Sequence, residues 1–402
     1  MPTDRLSVEE ASALLCRHAS PVRREVLPLS RALGRVAARE PAAVMDQPPF
    51  DRSPLDGYAL HHEALAHVCA ENPACLPVCR RIFAGDPPGE PIPVGCAARI
   101  MTGAPIPPGT DCVVRQEDTD QGEETVRIFV SLSAHDNICD RGEDLRSGVP
   151  LFPAGTVLTP AHLGVLAGQG MDTVEVFARP RVGVLSAGDE LVLPGAPLTS
   201  GKIYNSNQFY LTARLEQLGM EPAVSPVHGD DPAALSAAVT ALLADCDAVI
   251  TTGGVSVGQK DYMPAVCQQL GAVRLFHGVA VKPGSPMLAM TVDGKPVVCL
   301  SGNPFAAAAT LEAVARPMLL RLAGRRDWRL PRSSGVLTAP FRKASPGRRL
   351  VRAMISDGRV SLPAGGQVSG VLSSWMGCNC LVDIPAGSPA LPAGSEVEVI
   401  LL

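Results

Sequence analysis

Between residues 180 and 325 the chain alternates strand-like and helix-like hydrophobic patterns, and that alternation admits little besides a layered α/β domain. RVGVLS at 181–186 and AVITT at 248–252 are short continuous apolar runs, the mark of strands covered on both faces. Between them Leu211, Leu215 and Leu218 recur at helical spacing before a stop at Gly219. Asp231 and Pro232 then supply the cap and first residue of a helix lined by Leu235, Val239 and Leu242. Three further apolar runs, LFHGVAV, MLAMTV and VVCL, precede a helix that starts near Pro304. The expected centre of the molecule is a parallel-sheet α/β domain over residues 180–327.

The period changes on both sides of this segment. After Trp328, GRVSL, CLVDI and EVEVILL alternate between Gly/Pro turns, which predicts a C-terminal β-barrel over 328–402. From Met45 to Asp144, short runs such as CVV at 112–114 and VRIFVSL at 126–132 predict an inserted β-rich domain. Residues 7–18 read as a helix opened by a Ser7/Glu10 capping box, with Val8, Ala11, Leu14 and Leu15 on one face. Downstream, PLFPAGTVLTPAHLGVLAGQG reads as a short strand and a helix capped by Thr159 and begun by Pro160. Residues 1–44 and 145–179 are therefore expected to form one small N-terminal linking domain.

Composition removes several classes of function. With 35 Lys+Arg against 40 Asp+Glu, the net charge of −5 gives no general attraction for nucleic acid, and 9 Phe, 4 Tyr and 2 Trp offer little for base stacking. The N-terminus MPTDRLSVEEASALL lacks the basic and apolar regions of a signal peptide. The longest span free of acidic and basic residues within Ser147–Glu175 is broken by Pro150, Pro153 and Pro160, so no membrane span is expected. Twelve cysteines without a repeating framework fit a reduced cytoplasm.

The chemistry concentrates where strands end. TTGGVSVGQKD at 251–261 runs from a buried strand into Gly253, Gly254, Ser256 and Gly258, where backbone N–H groups can approach a phosphate, with Asp261 just beyond. Its spacing is that of neither a P-loop nor a dinucleotide fingerprint, and an ordinary glycine-rich turn is the competing reading. SAGDE at 186–190 places Asp189 and Glu190 at the same rim, and HGDD adds Asp230, Asp231 being most simply a helix cap. Acids at successive strand ends suit Mg2+, which takes a few carboxylates together with phosphate oxygens and water. SGNP at 301–304 puts Ser301 and Asn303 before Pro304 at an anion-ready helix start. The cluster His61, His62, His67, Cys69, Cys75 and Cys79 matches no structural zinc spacing and reads as a surface helix with free thiols. No Ser-His-Asp or Cys-His catalytic set stands out.

PPFDRSPLDGYA, RIMTGAPIPPGTDCVV, RGEDL, SAGDEL, GGVSVGQKDY, KPGSP and SGNP, in this order, resemble the block motifs of the molybdopterin molybdenumtransferases, the bacterial MoeA-type enzymes similar to the C-terminal domain of gephyrin. The resemblance covers essentially the whole chain. It implies a homodimer that inserts molybdate into adenylylated molybdopterin with loss of AMP, using a divalent cation. It also implies a cleft between the α/β domain of one subunit and the β-rich domain of the other. Asp56 and Thr102 would face that cleft from the β-rich domain, and Asp144, Glu190, Asp230 and Asp261 match the family's functional acids. Glu190, Asp230 and Asp261 would hold the metal. Lys282 and Pro304 match residues beside the pterin and oxyanion pocket. Arg348 and Arg352 in RRLVR, with Ser373 in QVSGVLSSWMGCN, would contribute to molybdate or phosphate binding.

Three positions depart from the pattern: Ser285 stands where many members have Lys, Ser301 where many have Pro, and Gly278 where some have Lys. Fewer cations at an oxyanion site imply weaker molybdate capture. Two rival functions stay open: a non-catalytic gephyrin-like scaffold, and the molybdopterin adenylyltransferase, whose α/β domain is similar. As partners, the resemblance implies that adenylyltransferase and the apoproteins of molybdoenzymes.

Overall fold

The computed structural model describes residues 5–255, 262–364 and 367–402. The chain divides into two compact units, one of Met1–Arg39, Ala154–Leu163 and Thr173–Leu402, the other of Glu40–Pro153 and Gly164–Asp172.

The first unit is built on a six-stranded sheet in the order Glu221–Val224, Arg181–Ser186, Ala248–Thr252, Lys295–Leu300, Leu288–Val292, Val273–His277. Its first four strands are parallel, and Ala248–Thr252 is buried throughout. Alternation along that strand sends Ala248 and Ile250 into one core and Val249 into another on the opposite face. The helix Ser206–Gln217 covers the first face with Leu211 and Leu215, and Pro232–Asp245 covers the second with Leu235 and Val239. Each such aliphatic side chain contributes about 1.5–3 kcal/mol by leaving water. Asp231 caps the second helix through Ala233 and Ala234 N–H, as its sequence predicts.

The sheet is not wholly parallel. Val273–His277, Leu288–Val292 and Lys295–Leu300 pair antiparallel, and Asp293 and Gly294, at φ 49° and 79°, close the two-residue hairpin that joins the last two. So short a link cannot join parallel strands.

The helix Val8–Arg17 begins at the Ser7/Glu10 capping box and buries Val8, Ala11, Leu15 and Cys16 on the first face of this sheet. Arg24–Pro28 and Val36–Ala37 pair with Thr173–Phe177 in a three-stranded sheet. Arg332–Leu337, Arg359–Ser361, Arg349–Ser356, Cys380–Ile384 and Glu396–Leu401 close into a barrel around Val351, Ala353, Val360, Val382 and Val399. Closure leaves no exposed sheet edge to recruit a foreign strand.

The second unit holds a five-stranded sheet in the order Cys112–Arg115, Gly57–Leu60, Ala97–Ile100, Ala74–Ile82, Thr125–Ile128, with Tyr58, Leu60, Val114 and Ile128 in its core. Gln169 ties the returning chain to this unit, its Oε1 accepting the Val44 and Met45 N–H groups at 2.9 and 3.2 Å. The surface helix expected around the histidines shrinks to a single 3-10 turn, His62–Leu65, and Cys75 and Cys79 lie instead on the strand Ala74–Ile82. Val78 and Ile82 on that strand pair with Ala97 and Ile100, so sheet pairing overrides local helix preference there. Cys69, Cys75 and Cys79 are free thiols. Among the described residues, no helix is long and apolar enough to cross a membrane.

Candidate functional site

The parallel strands Arg181–Ser186, Ala248–Thr252 and Lys295–Leu300 all end at one rim of the sheet, and a cleft of about 760 Å³ opens there within the first unit. Ligands of open α/β sheets bind at this rim because the loops that follow the strands diverge. Glu190, Asp230, Gly253, Gly254, Lys282, Ser301, Asn303 and Pro304 all line the cleft. Ser256, Gly258 and Asp261 lie outside the described residues.

Backbone crowding explains the glycines. Gly253 has φ 92°, and a Cβ there would lie 2.1 Å from the Ala187 carbonyl oxygen of the neighbouring strand end. Only glycine lets the two loops meet so closely. A Cβ on Gly188 would lie 2.6 Å from the Glu190 carboxylate, so that glycine leaves room for the acid. The third loop is shaped by polar groups: Ser301 Oγ accepts the Asn303 N–H at 3.3 Å, and Asn207 Nδ2 donates to Gly302 O at 2.7 Å. Pro304 is the first residue of the helix Pro304–Thr310, whose Phe305 N–H donates to Ser369 O at 3.0 Å. Asn207 sits at the head of its own helix in IYNSNQ, a cap-like pattern whose reach into the cleft depends on tertiary placement.

The charged side chains among the described lining residues are Glu190, Asp230 and Lys282. Asp230 is oriented by its N–H, which donates to Asp189 Oδ1 at 3.0 Å. Lys282 is held by its main chain, its N–H donating to Arg348 O at 2.9 Å and its carbonyl accepting the Leu350 N–H at 2.8 Å. The barrel strand thus fixes the backbone of the lysine. Among the described lining residues, two carboxylates without sulfur or imidazole are the hard oxygen donors that Mg2+ selects, and this ion keeps further positions for water and substrate oxygens.

Other expected residues lie elsewhere. Arg348 is locked between Asp383, at 2.6 and 2.7 Å, and Glu9, at 2.6 and 2.7 Å. Burial alone would lower its pKa, but these carboxylates raise it above the usual arginine value. Arg352 is fully buried. It donates to Val371 O and, at 2.6 Å, to Val368 O, and stacks 4.0 Å from the Phe305 ring centroid. It does not line the cleft, yet it holds the loop that contributes Ser369, Gly370 and Leu372 to it. Ser373 opens the 3-10 turn Ser373–Trp375 next to that loop.

Asp56, Thr102 and Asp144 belong to the second unit. Asp56 Oδ1 accepts both the Thr102 N–H at 2.7 Å and its hydroxyl at 2.8 Å, which holds the carboxyl below the usual carboxylate range. Asp144 donates its N–H to Gln47 O at 3.0 Å. In the same unit Asp111 joins His61 and His62, a contact that sequence spacing does not reveal. Its carboxylate accepts the His62 N–H at 2.7 Å and meets His62 Nδ1 at 2.6 Å, a cap for the short turn.

Three family models match successive parts of the chain. The MoeA N-terminal region (domain I and II) matches residues 6–170, a probable molybdopterin binding domain 183–321, and the MoeA C-terminal region (domain IV) 334–402. The molybdopterin molybdenumtransferase of Staphylococcus aureus (strain COL) is 34% identical over 399 residues, covering 98% of this chain and 95% of the relative. That of Staphylococcus epidermidis strain ATCC 35984 is 34% identical over the same length. The crystal structure of a molybdopterin biosynthesis MoeA protein from Pyrococcus horikoshii superposes with a TM-score of 0.86 at 29% identity, covering 99% of both chains. In sequence along nearly its whole length, and in fold, this chain belongs to the MoeA family of molybdopterin molybdenumtransferases.

Proposed function

We propose that this chain inserts molybdate into adenylylated molybdopterin and releases AMP. The observation that carries the reading is the cleft itself: two carboxylates, one lysine and three glycine- or serine-rich loops meet at the strand ends, in a chain of this family. The substrates are anions, and a cleft lined by Glu190 and Asp230 alone would repel them. These two carboxylates, with Asp261 from outside the described residues, would hold Mg2+. When bound, the ion would supply positive charge that offsets the carboxylates and favours the AMP phosphate. Gly253 and Gly254 offer backbone close enough to cradle the same phosphate, and Ser301, Asn303 and Pro304 shape the neighbouring helix start. Lys282 gives the incoming molybdate a donor and a positive charge in place of its water.

The same reading extends to a cytoplasmic homodimer in which Asp56, Thr102 and Asp144 of one copy serve the cleft of the other. It divides the chain into 1–44 with 145–179, 45–144, 180–327 and 328–402. Its partners are the adenylyltransferase that supplies the substrate and the apoproteins that receive the cofactor.

The test is a titration of molybdate and tungstate against AMP release from adenylylated molybdopterin, before and after chelation and with Mg2+ restored. AMP release that needs an oxyanion and Mg2+, and that is lost in Asp230→Asn, is the expected result. Release independent of both anions overturns the reaction. Consumption of ATP with free molybdopterin would instead mark an adenylyltransferase, and binding without any turnover a scaffold.

A further inference from the structure

We propose that Arg5 is an anion-binding residue of the cleft, brought to its rim by the N-terminal segment and directed there through Ser285. The inference rests on the anionic-substrate reading above, and nothing in the local sequence around Arg5 points to it.

The placement begins with backbone. Leu6 pairs with Val279 in a parallel bridge, and the Ala280 N–H donates to Leu6 O at 2.8 Å. Ser7 then caps the helix Val8–Arg17, which is buried in the core of the same unit. Arg5 therefore sits one residue before a stretch fixed by a bridge, a cap and a packed helix. Its stem lies across Gly278, where φ is 104° and a Cβ would come within 3.1 Å of Arg5 Cγ. The absent side chain at Gly278 is what gives the arginine its path.

Beyond the stem, Arg5 Nη1 donates to Ser285 Oγ at 2.7 Å, and Ser285 lines the cleft. The serine hydroxyl gives its proton to Val279 O at 3.0 Å, and its carbonyl accepts the Val279 N–H at 2.8 Å. With its proton committed, Oγ meets the guanidinium as an acceptor. One of five guanidinium N–H donors is used in this bond, which leaves others for a ligand.

Charge separates Arg5 from the arginines of the barrel. Arg348 and Arg332 are each paired with Asp383 and Glu9, whereas among the described residues Arg5 makes no ion pair. Neither does Lys282, three residues before Ser285. The 282–285 turn thus carries one cation of its own and borrows a second from a segment 280 residues away in sequence. An exposed arginine held only by water would need neither the glycine path nor the directed bond to Ser285. The ligand class is a tetrahedral oxyanion: molybdate, or the phosphate of the adenylylated substrate.

The experiment compares wild type with Arg5→Ala, Arg5→Lys and Ser285→Ala. Calorimetry measures the binding of molybdate and of AMP, each with Mg2+ present and without turnover, and steady-state kinetics follow where the wild type is active. Loss of one charge-assisted hydrogen bond should weaken one of the two anions about tenfold in Arg5→Ala. Arg5→Lys should recover part of that loss. Weakened molybdate alone assigns the oxyanion side of the cleft, and weakened AMP alone assigns the phosphate side. If Arg5 only anchored the N-terminal segment, Arg5→Ala would lower Tm and leave both affinities unchanged, and the proposal would fall. It also falls if wild type binds neither anion. Because binding is read without turnover, a failed reaction assay rejects the proposed function and leaves this test intact.

Discussion

Replacing Arg352 by Met should loosen one wall of the cleft while leaving its floor in place. The guanidinium is fully buried, and its fork reaches the carbonyls of Val368 and Val371. Met retains much of the volume against Phe305 but offers no donor. Two charge-assisted bonds are each worth about 1.5–3 kcal/mol, offset in part by the cost of burying the cation. A net loss of about 3 kcal/mol would shift the 367–372 loop toward its open form about a hundredfold. Hydrogen exchange of a peptide spanning 367–376, read beside AMP affinity, measures this directly. Both protection and affinity should fall in Arg352→Met, and Arg352→Lys should lie between, since a point charge cannot fork across two carbonyls. Unchanged protection with a weakened anion would refute the argument, because it would put Arg352 on the ligand.

Asp383 is 8% exposed and shared by Arg348 and Arg332. Asp383→Asn should destabilise the fold by about 3 kcal/mol in urea, because it strands buried positive charge, whereas a joint Arg348→Met, Asp383→Leu change should be nearly neutral. Burial alone would raise the Asp383 pKa, but the two arginines bring it below the usual value. Its contribution is therefore complete above the unfolded pKa of about 3.9 and is lost as pH falls through the lower folded value. Wild-type stability should decline in that acid range, and the decline should be shallower in Asp383→Asn. Gly253→Ala would force a Cβ to 2.1 Å from Ala187 O at φ 92°. It should cost about 2 kcal/mol or more and abolish AMP binding, and wild-type melting and affinity in that variant would disprove the close-approach argument.

Local chemistry was the legible part of this fold. Ser7 with Glu10, and Asp231 with Pro232, announce helix starts because a cap needs only neighbours in sequence. The barrel strands are visible for the same reason, since a period of two reports a one-sided core. The antiparallel half of the central sheet was not read, because its apolar runs are nearly continuous and only Asp293-Gly294 signals the hairpin. In the site, Glu190, Asp230 and the strand-end glycines were legible because strands place their own ends. The environments of Arg348 and Arg352 were not: one depends on Glu9 at the far end of the chain, the other on two backbone carbonyls in a loop. No spacing rule in a single sequence reports such partners.

The docking of the first helix also sets a timetable for the ribosome. Glu9 meets Arg348 across a separation of 339 residues, and Leu15 packs in the same core as Leu381 and Ile400. At roughly 5–20 residues per second, the segment 311–322 on which this helix chiefly packs emerges about 15 to 60 seconds after it does. During that interval Val8, Ala11 and Leu15 have no finished surface to cover them. The nascent chain must carry an apolar stripe in water until residues 311–322, on which the helix chiefly packs, have arrived, a window in which holding chaperones would find their substrate.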